Sequence, residues 1–316
     1  MKPLWVFSPR VSGPEHPCRG NHPASDYGLK TMKMKKTPLA FNAALSPFVR
    51  YCNVKTISIK HGETVRNKTQ ADPWPSMVVS LGSPVHRIRG GRTGPALPKV
   101  AVFGVAEGPD EIEMRPGHSH LTISFNPGRA HPFFGTTLKE FSDREFSLGD
   151  VWGREGREIE ERIAHTGSSA AVKSILESAL LKRLPLESGY PAGVLEAMRA
   201  ALRHGGKVSV NEMAQTAGMS AVHLKRLFTQ WVGMAPKIFC RIIRFQSLCA
   251  SLSSQRKPEW AGLSYESGYA HQSHMIRDFL AFSGETPSSF YDSVVVPSAG
   301  PGSPLKAFQP DPTFHA

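Results

Sequence analysis

The chain has 316 residues, 40% of them hydrophobic, and a formal net charge of +12 at pH 7. This length allows two domains with a core each. No stretch approaches the roughly 18 apolar residues of a membrane span, so we expect no membrane partner and a cytoplasmic location. The four cysteines form no metal-like pair and no dense disulfide pattern, which favours a reducing compartment. We expect no cofactor.

The two ends of the chain have the composition of disordered tails. Residues 1–37 carry seven basic and two acidic side chains, are rich in Gly and Pro, and show no hydrophobic period. Met32 and Met34 lie just before the first segment predicted to be ordered, so both are candidate start sites beside Met1. Residues 297–316, with repeated Pro, are predicted to form a second disordered tail.

Residues 38–184 are predicted to form an α+β domain, because short β-type segments precede amphipathic helices. The predicted strands are Ser76–Leu81, Lys99–Phe103 and Leu121–Phe125, and the predicted helices are Glu155–His165 and Ser169–Leu184. His118 and His120 have same-face spacing on a strand, which would suit half of a metal site. No further ligand follows at a useful distance, so we interpret them as surface histidines and predict no metal site.

Residues 192–296 follow a linker at 185–191 and contain one helix–turn–helix pattern twice. The first copy opens with a capping box of Ser209 and Glu212. Gly218 is predicted to end its first helix in a left-handed turn, and Ser220 is placed to cap the second helix. The exposed N-terminal half of that second helix is the region that a recognition helix presents to base edges. The candidate DNA contacts there are Ala221, Val222, Lys225 and Arg226.

The second copy repeats this order at an offset of 50 residues up to its turn and 51 residues beyond it. Gly268 corresponds to Gly218 as the structural turn. Thr286 and Pro287 form a cap and first-turn pair for a final short helix. The side chains predicted to face DNA are His271, Gln272, Ser273 and Arg277. His223 and His274 occupy equivalent repeat positions. They are candidates for phosphate contact, but we favour packing beside the two turns.

A single helix is predicted between the two copies, from Pro236 to Leu252. At 1.5 Å per residue it would be about 25 Å long. A connector of that length can hold two recognition helices about one DNA turn apart, roughly 34 Å. The sequence therefore predicts two recognition helices that dock on successive segments of the major groove.

The motifs at this spacing resemble the DNA-binding domain of AraC/XylS-family transcriptional regulators. The resemblance covers about residues 190–291. Its strongest segments are Ala217-Gly218-Met219-Ser220, Leu224-Lys225-Arg226-Leu227-Phe228 and Gly268-Tyr269-Ala270-His271-Gln272-Ser273-His274. Two positions depart from the family pattern: His271 stands where aspartate is usual, and Ser264 where alanine is usual. The first departure bears on how the second recognition helix is capped.

A weaker resemblance links the first domain to an uncharacterised domain found on one AraC-like subfamily. It rests on Phe125-Asn126-Pro127-Gly128-Arg129-Ala130 and Leu148-Gly149-Asp150-Val151-Trp152-Gly153. It implies no particular ligand or activity. Full-length family members often dimerise or sense a ligand outside the DNA-binding domain, so a homodimer and a small-molecule effector are candidate partners here.

Three functions compete at this stage. The first is a sequence-specific transcription regulator, an activator or a repressor, with double-stranded DNA and RNA polymerase as partners. The second is an enzyme or DNA-repair protein that uses the tandem motifs for targeting, but the reactive Pro-Cys-His-Arg motif of such a protein is absent from the sequence. The third is an interaction module that has lost base contact, against which Lys225, Arg226, Gln272 and Arg277 argue. We therefore expect a regulator and not an enzyme. The operator, the regulated genes, the sign of regulation, the effector and the oligomeric state do not follow from the sequence.

Overall fold

The computed structural model describes residues 8–12, 33–185, 190–252 and 257–292. Its first part is rich in β-strands and its second part is helical. The predicted succession of an α+β domain and an all-α tandem helix-turn-helix domain is therefore confirmed.

The first part contains two antiparallel sheets. The strands within the described residues are β1 (Ser8–Ser12), β2 (Lys33–Pro38), β3 (Val49–Ser58), β4 (Thr64–Thr69), β5 (Ser76–Ser80), β6 (His86–Arg89), β7 (Arg92–Ala96), β8 (Val100–Phe103), β9 (Asp110–Met114), β10 (Ser119–Phe125) and β11 (Glu145–Ser147). A six-stranded sheet has the order β11-β8-β5-β10-β3-β2. A five-stranded sheet has the order β1-β4-β9-β6-β7. The three predicted strands match β5, β8 and β10, which are neighbours in the six-stranded sheet.

Three helices accompany these sheets: α1 (His131–Phe134), α2 (Leu148–Ala164) and α3 (Ser169–Lys182). Helix α2 begins earlier than the helix predicted at Glu155–His165. It starts at a capping box of Ser147 and Asp150 and bends at Gly153, where φ is 61°. A short 3₁₀ helix spans Leu138–Phe141. Buried residues of α2 and α3 form one core with the apolar face of the six-stranded sheet.

The two faces of the six-stranded sheet differ in polarity. Leu121 and Ile123 of β10 belong to the apolar core beneath the helices. The alternate residues His120 and Thr122 lie opposite Lys55 and Asn53 of β3, and directly opposed residues share a face. This second, polar face looks toward the five-stranded sheet, and a cavity lies between the two sheets.

The helical part comprises α4 (Ala192–Arg203), α5 (Val210–Thr216), α6 (Ala221–Val232), α7 (Pro236–Leu252), α8 (Trp260–Glu266), α9 (Gln272–Ser283) and α10 (Pro287–Phe290). The connector helix predicted from Pro236 to Leu252 is confirmed with these bounds. The helical core also takes in Ala71, Trp74 and Val105 of the first part, so the two parts share one apolar cluster.

The N-terminal segment differs from its predicted disorder at two places. Residues 8–12 form β1, and residues 33–37 lie in β2, which pairs with β3 from Lys33 opposite Ser58 to Pro38 opposite Asn53. An edge strand gains its hydrogen bonds from the backbone of a partner strand and needs no apolar period of its own. The rest of the predicted tail, residues 186–189 of the predicted linker and the predicted tail at 297–316 lie outside the described residues.

Candidate nucleic-acid interface

The first unit folds around the predicted capping box and glycine turn. Ser209 Oγ accepts a hydrogen bond from the Glu212 N–H at 3.2 Å, and the Glu212 carboxylate accepts one from the Ser209 N–H at 2.6 Å. Gly218 has a φ of 64°, a left-handed conformation that glycine adopts without strain. The Gly218 N–H donates to the Gln215 carbonyl at 3.0 Å. Helix α5 therefore ends as predicted.

The second unit repeats the same turn. Gly268 has a φ of 78°, and its N–H donates to the Tyr265 carbonyl at 2.9 Å. The N–H of the next residue donates five residues back in both units, from Met219 to Ala214 and from Tyr269 to Ser264, each at 3.0 Å. The repeated sequence is thus a repeated structure.

Helix α6 presents the predicted contact residues on its outer side. Ser220 caps the helix by accepting a hydrogen bond from the His223 N–H at 3.2 Å. Leu224 and Phe228 are fully buried on the inner side. Of the predicted contacts, Ala221 is half-buried, whereas Val222 (82% exposed), Lys225 and Arg226 are exposed. The last three are spaced at i, i+3 and i+4 and so share one face.

Helix α9 has the same arrangement but lacks the side-chain cap. Met275 and Phe279 are fully buried. The predicted contacts are all exposed: His271, Gln272, Ser273 and Arg277. His271 occupies the N-cap position, where its side chain makes no capping hydrogen bond. The N–H of His274 instead donates to the His271 carbonyl at 2.9 Å.

The prediction that His223 and His274 pack beside the turns is wrong. Both side chains are exposed. Nδ1 of His223 lies 3.4 Å from Nη2 of Arg226, and the His274 ring lies 5.9 Å from that of His271, centroid to centroid. The repeat places both histidines one residue before a buried side chain, Leu224 or Met275, so a rotation of about 100° per residue turns them outward. Both therefore belong to the exposed faces that carry the predicted contacts.

The connector α7 is tied to both units by charged side chains. Arg241 donates through Nε and Nη2 to Oδ1 of the buried Asp278 on α9, at 3.1 and 2.7 Å. Arg244 donates through Nη2 to the Gly206 carbonyl, at 2.9 Å, just before the first unit. These bonds constrain the placement of the two recognition helices relative to each other.

The first part of the chain contacts the end of α6. Gly233 ends that helix with a φ of 96°, and its carbonyl accepts a hydrogen bond from Ser142 Oγ at 2.5 Å. Thr137 Oγ1 donates to the Gln230 carbonyl at 3.2 Å. The rings of His131 and Trp231 stack with centroids 4.2 Å apart. The orientation of the first recognition helix therefore depends on the β-rich part.

A cavity in the β-rich part was not predicted from the sequence. It measures about 120 Å³ and lies between the two sheets. His118 and His120 line it, so their assignment to the surface is wrong: His118 is 1% exposed, and His120 is half-buried. Nε2 of His118 lies 2.9 Å from Nδ1 of His120, and burial lowers the pKa of both imidazoles. Their spacing indicated in the sequence that both side chains share one face of a strand. It did not indicate that a second sheet covers that face.

Comparisons with known proteins agree with this geometry. Residues 213–293 match the family model of a helix-turn-helix domain, and residues 42–147 match that of a domain of unknown function (DUF6597). An uncharacterised HTH-type transcriptional regulator of Haemophilus influenzae is 31% identical over 85 residues, or 27% of this chain and 28% of that protein. The alignment thus spans less than a third of that relative.

Two solved structures are similar over most of the chain. ToxT from Vibrio cholerae O395 has a TM-score of 0.40 and 8% identity, covering 84% of this chain and 99% of ToxT. The AraC-like transcriptional activator CuxR has a TM-score of 0.30 and 12% identity, covering 75% and 85% of the two chains. TM-scores below 0.5 do not establish a shared fold.

The helical part contains two glycine turns, and each is followed by a helix with an exposed outer face. This arrangement is a tandem helix-turn-helix module. The match of residues 213–293 to the family model of a helix-turn-helix domain agrees with this assignment. In the parts of the chain that the structure describes, no helix is long and apolar enough to cross a membrane.

Proposed function

We propose that the protein is a sequence-specific, DNA-binding transcription regulator that inserts α6 and α9 into successive segments of the major groove. The observation that carries this proposal is the repeated turn geometry, which leaves polar and basic side chains exposed at corresponding places on two helices joined by one rigid connector. A connector of about 25 Å suits two grooves on one face of the duplex. RNA polymerase is the expected protein partner of such a regulator.

On α6 the exposed face combines three kinds of base contact. Arg226 is the proposed guanine reader, because a guanidinium can donate two hydrogen bonds to O6 and N7. Lys225 supplies a second positive charge for guanine or phosphate. Val222 is an apolar side chain with 82% exposure and suits contact with a thymine methyl group.

On α9 the proposed readers are polar. Gln272 can pair with the N6 and N7 edge of adenine, and Ser273 can donate to or accept from several bases. Arg277 now donates through Nε to the Ser273 carbonyl at 3.3 Å, within its own helix. Its other guanidinium nitrogens are free to reach a phosphate or a base in the complex.

The first test is selection of a binding site from random DNA with the full chain, followed by footprinting on the selected site. Two protected patches about 10 base pairs apart are expected, one for each recognition helix. Protection of one patch, unchanged by Gln272→Ala or Arg277→Ala, would leave α9 with a structural role only.

The second test measures base reading by one side chain. Arg226→Ala should lose about 1–3 kcal/mol on the selected site and relax the preference at one base pair. Arg154→Ala is the matched control, because it removes an arginine that is 88% exposed on α2, outside the proposed interface. Equal losses of the Arg226 variant on specific and random DNA would contradict the base-reading role.

We further propose that the β-rich part regulates this binding. The support is its set of contacts to the end of α6, together with the three residues that it adds to the helical core. A change in that part would alter the placement of the recognition helices. The cavity between the sheets favours a small-molecule effector over dimerisation alone as the source of such a change.

A further inference from the structure

The cavity between the two sheets has a mostly apolar surface and a polar patch formed by His118, His120 and Thr122. Carbon atoms make up most of the wall, and Trp74, Phe103 and Ile112 are among the side chains that supply them. Its volume of about 120 Å³ is close to the roughly 150 Å³ of an apolar protein cavity that takes benzene. The space therefore fits a molecule of about one aromatic ring.

The polar patch contains an unsatisfied hydroxyl. Thr122 lines the cavity and is 1% exposed, and its Oγ1 has no hydrogen-bond partner among the described residues. A buried hydroxyl without a partner carries the free-energy cost of its lost hydrogen bonds to water. A ligand that hydrogen-bonds to this group would recover that cost.

The histidine pair presents an acceptor on the same strand face. Nδ1 of His118 lies 3.1 Å from the Ser83 carbonyl, which can only accept, so this nitrogen carries the proton. Because burial keeps His118 neutral, its Nε2 accepts the hydrogen bond from Nδ1–H of His120. His120 is also neutral, so its Nε2 carries a lone pair. A neutral ligand with an O–H or N–H group matches this acceptor.

Charge at the site disfavours an anion. Asp72 lines the cavity, and burial raises the pKa of its carboxyl to about 7, so it is about half ionised at neutral pH. Asp110 and Asp143 also line the wall, while the guanidinium of Arg87 is already paired with Asp110 and Glu145. The other arginine of the wall, Arg144, is exposed, with its guanidinium 4.8 Å from the ring centroid of Phe146. A carboxylate inside the cavity would therefore meet these acidic groups and no buried, unpaired arginine among the lining residues.

The floor of the cavity is also the boundary with the helix-turn-helix domain. Asp72 and Ala106 both line the cavity and join two segments by mutual backbone hydrogen bonds of 2.9 and 2.7 Å. The adjacent Ala71 donates to the Phe282 carbonyl of α9 at 2.8 Å and accepts from Gln246 Nε2 of α7 at 3.2 Å. A displacement of Asp72 would therefore be transmitted to α7 and α9 through the hydrogen bonds of the neighbouring Ala71.

We propose that this cavity binds a small, neutral, mostly hydrocarbon molecule with one hydrogen-bond donor, such as a phenol, and that its occupation changes DNA binding through the Ala71 contacts. The effect on DNA binding rests on the proposed function. The binding of the ligand does not, since it involves the β-rich part alone.

Calorimetric titration of the full chain tests the ligand class without DNA. Phenol, toluene and benzoate are the probes, because they share one ring and differ in donor and charge. Saturable binding of one phenol per chain is expected, with weaker toluene and weakest benzoate. Absence of saturable phenol binding, or benzoate binding more tightly than phenol, would overturn the assignment.

Thr122→Val tests the polar patch with little risk to folding, because it replaces an unsatisfied hydroxyl by a methyl group of similar size. The loss of one hydrogen bond should weaken phenol binding about two- to twelve-fold and leave toluene binding unchanged. Equal effects on both probes would show that Thr122 shapes the cavity and does not bind the donor.

Transmission is tested by anisotropy titration of the selected DNA site with and without saturating phenol. A change in DNA affinity of about 5- to 150-fold is expected, the usual range for coupled sites. Gln246→Met should reduce that change while phenol still binds. Phenol binding with unchanged DNA affinity would overturn the transmission step, whereas failure to bind DNA even without phenol would count against the proposed function and leave the cavity result standing.

Discussion

The missing cap of α9 allows a quantitative test of the repeat, because α6 supplies the matched reference. His271→Ser would place a hydroxyl where Ser220 already caps the first recognition helix. Side-chain caps stabilise by about 0.5–2 kcal/mol relative to a residue that cannot cap. The N–H of His274, which the new cap would bind, already donates to the His271 carbonyl at 2.9 Å. We therefore expect a gain of about 0.5–1 kcal/mol in the free energy of unfolding.

Urea unfolding followed by circular dichroism measures this gain, with Ser220→Ala as the opposite control. Ser220→Ala removes the 3.2 Å bond from the His223 N–H and should cost about 1 kcal/mol. DNA affinity should be measured in parallel, because His271 is also a candidate contact. If Ser220→Ala destabilises the protein but His271→Ser does not stabilise it, the missing side-chain cap does not reduce the stability of α9.

Three further outcomes are expected. Burial raises the pKa of Asp72 to about 7, above its unfolded value of about 3.9, so this group's contribution to stability falls as the pH rises through that window. The stability of Asp72→Asn relative to wild type should therefore increase from pH 4 to pH 7. Urea unfolding at several pH values measures both free energies of unfolding, and a difference between them that does not change with pH would contradict this expectation. Arg241→Met leaves the carboxylate of Asp278 buried without its partner and should cost about 2 kcal/mol in urea unfolding, much of it recovered in the double variant with Asp278→Leu; no recovery would argue against a charge effect. A fragment of residues 186–296 should bind the selected site at low salt, and its affinity should fall with a log–log slope of about −0.9 per phosphate contacted. Failure to bind despite a helical spectrum would mean that the β-rich part is needed for DNA binding itself.

The contacts between the two parts also predict a lower stability for the fragment of residues 186–296. Ala71, Trp74 and Val105 complete the helical core, so their removal exposes apolar surface on the fragment. We expect the fragment to be less stable than the full chain and still able to bind DNA. Thermal unfolding of both proteins measures the difference.

The sequence by itself determined the helical part almost completely. A capping box, a glycine turn and an apolar face involve residues within about four positions of one another, so local chemistry decides them. The bounds of the connector, the two left-handed glycines and the exposure of Arg226 and Gln272 followed from such short-range patterns. The two histidines at the repeat were the exception, because their outward direction depended on the rotation of each helix against its core.

Only the tertiary structure decided the β-rich part. Strand partners lie far apart in the chain, as where residues 119–125 pair with residues 49–56, so no local pattern fixes which strands meet. The polar face of β10 suggested solvent, since alternating strands usually turn such a face to water. A second sheet covers it instead. This places His118, which was predicted to be at the surface, in the interior of the domain together with Thr122 and Lys55. Burial by a distant segment is a property of the assembled chain, and the cavity exists for that reason.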